Sequence, residues 1–281
     1  MIPAPRSALF VPAMRKRAIT KAASAGADML ILDLEDATGP DEKAEARKAI
    51  ATALNHWASS PTIRAVRINA PDTDHWRDDL DAAQDADAIV FPKIMNADDL
   101  QTMRAAMTGD TPLWAMIETP ESLLSLRDIA QIADRVGLAG LIAGTNDLST
   151  SLRLPSAAGR FGLIPHLAQI VTAGRAANIH VLDGVYNAYK DSDGFAREAR
   201  EGRGLGFDGK SLIHPSQVSP TNAAFGPSDA EIDWARRVVA AFDAPDATSK
   251  GVIAMDGEMI ERLHLTRAHA ILGRKSDGVT S

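Results

Sequence analysis

At 281 residues, 45% apolar and 24% charged, the chain has the make-up of a folded α/β domain carrying an added piece, not of a disordered protein. Its net charge of −7 argues against nonspecific nucleic-acid binding, so an anionic substrate needs local cations rather than a basic field. With no cysteine there are no disulfides, thiolate-zinc sites or thiol catalysis. A cytoplasmic protein fits, with no signal-peptide pattern and no membrane-length apolar run.

Residues 7–12 (SALFVP) read as a buried strand stopped by Pro12, and 14–25 as a helix with a basic outer face, ended by Gly26. Residues 29–34 (MLILDL) are apolar except at Asp33 and run into Glu35 and Asp36. Continuous rather than alternating apolarity marks a strand covered on both faces. A helix over 41–58 leads to a strand over 63–68, which ends at Asn69. A helix over 74–84 leads to a strand over 88–94 that ends in Pro92 and Lys93. A helix over 97–107 precedes the strand 113–117 and Glu118; a helix over 120–133 precedes the strand 140–144, followed by Asp147. Then come a longer loop over 149–161, a helix over 165–177 and a strand over 179–185 that ends near Asp183. A helix around 193–202 and a strand over 207–213, closed by His214 and Pro215, complete the series.

Eight strands, each but the last followed by a helix, spell a closed α/β barrel of the (β/α)8 TIM type over residues 1–226. The competing open doubly wound sheet wants a glycine turn after its first strand, and 11–17 (VPAMRKR) has none. GLGFDG at 204–209 has G-x-G-x-x-G spacing, but it precedes a strand and is a chance match. Residues 227–281 form a C-terminal helical extension, a lid or an arm reaching a neighbouring subunit. It has a helix over 227–242 with a Ser228/Glu231 capping box, a polar linker over 245–251, and a helix over 256–273 closed by Gly273.

Catalytic groups of a barrel sit where its strands end. Those positions hold Glu35, Asp36, Arg67, Asn69, Lys93, Glu118, Asp147, Asp183 and His214. Glu118 and Asp147 each close an apolar run with no charge partner beside them. A buried carboxylate of that kind pairs with a cation or binds metal, and two carboxylates plus water are what Mg²⁺ usually takes from a protein. Arg67 offers the planar fork that matches a carboxylate. Lys93 either pairs with Glu35 or Asp36 or serves as a Schiff-base amine; the nearby acids favour pairing. Plainer readings stand beside these. A strand-end acid more often ends in a salt bridge, Arg67 alone fits a core-edge ion pair, and His214 fits a packed loop histidine.

Nine ordered stretches carry a resemblance: RSALFVP (6–12), GADMLILDLEDA (26–37), VRINAPDT (66–73), FPKI (91–94), AMIETPE (115–121), AGTNDL (143–148), DGVY (183–186), GFDGKSLIHPSQ (206–217) and DGEMIERLHLTRAHAIL (256–272). Together they resemble the citrate lyase beta-subunit-like proteins, relatives of malyl-CoA and citramalyl-CoA lyases in the HpcH/HpaI aldolase superfamily. The resemblance spans nearly the whole chain. It implies a homotrimeric or hexameric barrel that cleaves or forms a carbon–carbon bond beside a CoA or acyl-carrier-protein thioester. It places Mg²⁺ on Glu118 and Asp147 and the carboxylate of a 2-oxo acid on Arg67. It assigns Glu35 and Asp36 to ordering water, Arg67 and Lys93, and sets the substrate against the backbone of Gly144 and Thr145. The terminal arm is expected over an adjacent subunit's site, where Glu261 replaces an Asp that handles the thioester-side proton. PAMR at 12–15 is a second departure, where many relatives have a glycine and an Asp or Asn.

The implied activity is Mg²⁺-dependent retro-Claisen cleavage of a malyl-, citramalyl- or citryl-CoA type thioester to a 2-oxo acid and an acyl-CoA. The alternatives are a malyl-CoA-type thioesterase or malate-synthase-like condensation on the same site, or a CoA-independent 4-hydroxy-2-oxo acid aldolase. A non-enzymatic scaffold is the remaining reading, and the intact Glu118, Asp147 and Arg67 argue against it.

Overall fold

A computed structural model describes residues 4–155, 159–244 and 250–276. They divide between two compact units, Met1–Ala224 and Phe225–Ser281. In the first, eight parallel strands close in sequence order: β1 (Ser7–Pro12), β2 (Met29–Asp33), β3 (Ile63–Arg67), β4 (Ala88–Phe91), β5 (Leu113–Ile117), β6 (Leu138–Ala143), β7 (His180–Asp183) and β8 (Gly209–Leu212). The helices are α1 (Lys16–Ala23), α2 (Lys43–His56), α3 (Trp76–Ala82), α4 (Ala97–Ala106), α5 (Pro120–Leu124), α6 (Leu126–Val136), α7 (Thr145–Ser151), α8 (Ile164–Ala176), α9 (Ser192–Leu205) and α10 (Val218–Phe225). The expected (β/α)8 barrel is therefore the observed fold. Among the described residues no helix is long and apolar enough to cross a membrane.

Alternate strand residues fill the barrel. Met29, Ile31, Trp114, Met116, Ile142 and Leu182 meet in its interior, with Ala8, Ala65 and Ala88 giving room for the larger rings. Gly140 is one such concession: a Cβ there would lie 2.3 Å from the Trp114 ring. The N-terminal strand ends are pinned by acids that precede a strand. Asp28 accepts from the backbone N–H of Arg6 and from its guanidinium, at 2.8–2.9 Å. Asp87 does the same for Arg64, and Asp208 accepts from Val181 N–H and from Arg175. A one-residue slip would break each fork, so these pairs hold the register that the strand ends at the other face depend on.

Two helix starts fix the ends of the strands before them. Asn96 accepts from the N–H groups of Asp98 and Asp99, and Thr119 accepts from Ser122 N–H. Thr119 and Pro120 stop β5, which leaves Glu118 as the last residue before a turn.

The structure departs from the sequence-based expectations in four places. Helix α7 begins directly after Gly144, so Asp147 sits in a first helical turn and the long loop starts later. Helix α10 follows β8, where none was expected; its Pro220 lies in the first turn, where a missing N–H is harmless. In the second unit the expected helix over 256–273 opens instead as a hairpin of β9 (Val252–Met255) and β10 (Glu258–Glu261). Asp256 and Gly257 turn it with φ of 55° and 82°, the left-handed pair that Asp-Gly favours. Only then does α12 (Arg262–Ser276) begin, and Gly273 does not end it. Of the polar linker expected over 245–251, residues 245–249 lie outside the described residues. The second unit has its own core, in which Ala235, Val238 and Phe242 of α11 (Asp229–Asp243) meet Ile260 and Ala268. Ser228 and Glu231 form the expected capping box.

Candidate active site

Arg67 lies at the end of β3, buried and held by three carboxylates. Its Nε and Nη2 donate to the two oxygens of Asp33 at 2.8 and 2.6 Å. Its Nη1 is 2.9 Å from Glu35 Oε2 and 3.5 Å from Asp36 Oδ2. One face of the guanidinium lies over the Phe10 ring, 4.7 Å from the centroid, and Nη1 approaches Met116 Sδ at 3.7 Å. Burial alone would make this arginine easier to deprotonate, but the charges of Asp33, Glu35 and Asp36 outweigh it and hold its pKa above the ordinary value.

Asp33 also shapes the turn that presents the acids, because it accepts from the N–H groups of Glu35 and Ala37. Thr38 Oγ1 and Lys43 tie down the same turn, Lys43 by donating to the carbonyls of Leu34 and Glu35. Lys43 donates in addition to Asn69 Oδ1. Asn69 is thus a strut: its amide donates to Leu34 O and Asp79, away from the substrate side.

Lys93 joins the two halves of the site. It has a left-handed backbone, φ 51°, unusual for a side chain of this size. That twist aims its N–H at Glu118 Oε1, 2.6 Å away, while its ammonium reaches Glu35 Oε1 at 2.5 Å. Burial works against the ammonium, but the hydrogen bond to Glu35 and the charges of Glu35, Asp36 and Glu118 raise its pKa. An ammonium held charged in this way is a poor amine nucleophile. Lys93→Gly keeps the twist and the amide, whereas Lys93→Ala keeps the strain without the ammonium. Alanine is expected to be less stable than glycine here by about 1 kcal/mol, the reverse of the usual order, in urea unfolding of both variants.

Glu118 is 1% exposed, and its Oε2 has no hydrogen-bond partner. Burial pushes its carboxyl up to about 8; the Lys93 amide opposes this, Glu35 and Asp147 add to it, and Arg67 offsets a little. Gly144 makes this packing possible. A Cβ there would lie 2.3 Å from Glu118 Cβ and 2.4 Å from its Oε2, so any side chain would displace the carboxylate.

A cavity of about 350 Å³ opens at the C-terminal strand ends and is lined by Asp36, Arg67, Glu118, Gly144, Thr145 and Asp147. Six of the expected site residues therefore meet in one place. Glu35 and Lys93 do not line the cavity but touch residues that do: Glu35 meets Arg67 at 2.9 Å, and Lys93 meets Glu118 through its N–H and Asp36 at 3.9 Å. Glu261 belongs to the second unit, where it ends β10 with an exposed side chain and its N–H donates to His264 Nδ1. Sequence reasoning left out Asp33, Phe10 and Met116. Asp33 was visible as the one charge inside MLILDL, whereas the two apolar residues carried no signal.

Two strand-end candidates go elsewhere. Asp183 is fully buried outside this cavity, against Lys210 at 2.8 Å and Arg160 at 2.7 Å, with Glu198 beside them. His214 caps the turn after β8 through Ser216 N–H and stacks on Tyr189.

A divalent cation of the magnesium class wants hard oxygen donors and keeps several waters. The unpartnered Glu118 Oε2 and the half-buried Asp147 in the same cavity fit that demand. Among the described residues no group of three or more His, Asp or Glu side chains is placed to hold a metal ion.

A parallel barrel whose C-terminal face gathers acids and one buried arginine around a small cavity is the architecture of a barrel enzyme. The family profile of HpcH/HpaI aldolase/citrate lyase matches residues 6–215, and the chain belongs to that family. It is 42% identical over 271 residues to a (3S)-malyl-CoA thioesterase of Cereibacter sphaeroides, across 96% of this chain and 94% of that protein. It is 33% identical to the citrate lyase subunit beta of Escherichia coli, across 96% and 92%. Among solved structures, CitE from Mycobacterium tuberculosis in complex with magnesium, acetoacetate and coenzyme A superposes with a TM-score of 0.80 at 32% identity. That match covers 98% of this chain and all of the other. The relatives thus include both a thioesterase and a lyase subunit.

Proposed function

We propose that the protein is a Mg²⁺-dependent carbon–carbon lyase acting on a 3-hydroxy-3-carboxyacyl-CoA thioester, releasing a 2-oxo acid and an acyl-CoA. The observation that carries this reading is that Arg67, Glu118 and Asp147 line one cavity. In it Glu118 and Asp147 are the metal ligands. When bound, Mg²⁺ supplies Lewis-acid charge at the hydroxyl and carboxylate oxygens of the substrate.

Arg67 binds the substrate carboxylate through its Nη1–Nη2 edge, where Nη1 is shared with Glu35 at 2.9 Å. Asp33, Glu35 and Lys93 fix that edge against Phe10, so little reorganisation remains when the substrate arrives. Gly144 and Thr145 border the reacting carbons with backbone. The C3 hydroxyl gives its proton to a water beside Asp36 and becomes the carbonyl of the 2-oxo acid; as the C2–C3 bond breaks, its electron pair passes to the thioester α-carbon C2, and Glu261 from the arm of a neighbouring copy gives that carbon a proton. The assembly is a cytoplasmic trimer or hexamer on this reading, with CoA or an acyl-carrier protein as the thioester carrier.

One observation favours a second reading: the 42% relative named as a malyl-CoA thioesterase. The same site would then hold the malyl head while water attacks the thioester carbonyl. A panel of malyl-, citramalyl- and citryl-CoA, scored separately for 2-oxo acid and free thiol, decides between the two. The lyase yields 2-oxo acid without thiol, and the thioesterase yields thiol without 2-oxo acid. Cleavage of free 4-hydroxy-2-oxo acids with no response to any CoA ester would overturn both. Glu261→Gln is expected to slow turnover and leave 2-oxo-acid binding intact; an unchanged rate would reduce Glu261 to a structural residue.

A further inference from the structure

Lys43, Arg47, Asn69 and Asp79 do not line the cavity, yet they hold its acid turn and its arginine in one frame. Lys43 is the first residue of α2, the end of a helix where the macrodipole disfavours a cation. Among the described residues its half-buried ammonium meets no carboxylate. It donates instead to three neutral oxygens: Leu34 O at 2.9 Å, Glu35 O at 3.2 Å and Asn69 Oδ1 at 2.6 Å. Neither helix stability nor ion pairing accounts for a lysine here. What its three partners share is the contact between Arg67 and its acids.

Leu34 and Glu35 belong to the turn that carries Asp33, Glu35 and Asp36, and Asn69 stands two residues past Arg67. Lys43 therefore grips both sides of that contact at once. Asn69 completes the clip, because its amide donates to Leu34 O at 3.1 Å and its backbone N–H donates to Asp79 Oδ2 at 2.9 Å. Leu34 N–H in turn donates to Arg67 O at 2.9 Å. Asp79 is fully buried and is fixed from α2 by Arg47 at 3.0 Å. The turn needs such a hold. Its three carboxylates repel one another, and Arg67 and Lys93 are the cations that touch them. Lys43 adds a third cation on the backbone of the same turn. The metal side of the cavity is held differently: Glu118 rests on the Lys93 N–H and against Gly144 and touches none of the four residues.

Resting on the proposed binding of a substrate carboxylate to Arg67, we infer that Lys43 is a positioning residue for that binding. Through the acid turn and Asn69 it sets where the Arg67 guanidinium stands, and it governs affinity for the 2-oxo acid without governing affinity for the metal.

The chain has no cysteine, so Lys43→Cys places a single thiol at this position. Alkylation with 2-bromoethylamine rebuilds the lysine stem and its ammonium with sulfur in place of one methylene; alkylation with bromoethane rebuilds the stem alone. Calorimetry on the full-length protein reads two affinities for each form. One is Mg²⁺ for the ligand-free protein, and the other is glyoxylate, pyruvate and oxaloacetate for the Mg²⁺-loaded protein. The thiol and ethylated forms are expected to bind the 2-oxo acid that the wild type prefers at least about tenfold more weakly, and aminoethylation restores most of that loss. Mg²⁺ affinity is expected to stay within about twofold throughout, as for sites that share no partner. A parallel fall in both affinities would make Lys43 a residue of the fold alone and overturn the inference. So would a thiol form that binds like the wild type, or an aminoethylated form that stays weak. A wild type that binds none of the three acids would remove the proposed chemistry, and the inference with it. Should Lys43→Cys fail to fold, Lys43→Gln, which keeps a donor but no charge, is expected to show the same split, and an unsplit pair of affinities there overturns the inference.

Discussion

Glu118→Gln is expected to leave the barrel folded while Mg²⁺ binding falls by more than about 100-fold and turnover is lost with it. The substitution is nearly isosteric. Its carbonyl oxygen can still accept from the Lys93 amide, and its side chain still packs against Gly144. What disappears is the negative charge on the oxygen that has no partner in the protein. The same charge gives a pH signature. The Glu118 carboxyl has a folded value of about 8 against an ordinary 4.5, so folding takes up a proton between those limits. Its contribution to stability is full below about 4.5 and is lost as pH rises towards 8. In EDTA, wild-type melting temperature should therefore fall between pH 5 and 8 more than that of Glu118→Gln. Mg²⁺ affinity of the wild type should rise over the same window, because binding must displace that proton. Wild-type Mg²⁺ affinity in the variant, or full wild-type activity in EDTA, would sink the assignment.

Why this carboxylate was legible in the sequence, and others were not, comes down to strand parity. An apolar run that ends in an acid locates a strand end, and Glu118 and Asp147 were found that way; Arg67 was found as the lone cation near the end of another strand. A strand covered on both faces has no alternation, however, so the run does not say which residues point into the barrel. Asp183 and Glu118 look alike in sequence. Glu118 shares the inward parity of Trp114 and Met116, whereas Asp183 follows the inward Leu182 and so faces the helices. Asp33 was passed over because it lay inside a run instead of at its end, although a lone charge in a buried strand must be paired. The left-handed backbone of Lys93 had no local signal, since neither Pro92 nor Ile94 demands it; the tertiary contact with Glu118 does. The second-unit hairpin was legible and was missed. Asp256-Gly257 between two short apolar runs is a strong turn signal, but the helical pattern that follows overshadowed it.

Lys210→Met should cost about 3–5 kcal/mol of stability, the largest effect expected away from the cavity. Lys210 and Asp183 are both fully buried, and the Lys210 ammonium is shared by Asp183 and Glu198 at 2.8 Å each. Arg160 makes a two-pronged contact with Asp183 at 2.7 and 3.1 Å. Burial alone would raise the Asp183 carboxyl, but Lys210 and Arg160 hold it below its ordinary range. That depression means its stabilising contribution is present above the ordinary value of 3.8 and is lost as pH falls through the folded value. Without Lys210 the depression shrinks, so acid unfolding of the variant should begin at a higher pH than in the wild type. Two carboxylates would then depend on one arginine in a dry site. Removing the surplus charge as well, in Lys210→Met with Glu198→Gln, leaves the Asp183–Arg160 pair and should recover part of the loss. Urea unfolding followed by the buried Trp57 and Trp114 measures both variants. A cost below about 1 kcal/mol, or a double variant no more stable than the single, would show that the network is not held by this charge balance. The cluster also bears on the cavity. The Asp183 carbonyl holds the Ser211 hydroxyl, and Gly184 packs against Thr145 so closely that a Cβ would sit 2.3 Å from its Oγ1. The ion network outside the barrel thus fixes a wall of the site inside it, which makes a fall in 2-oxo-acid affinity the expected companion of the stability loss in Lys210→Met.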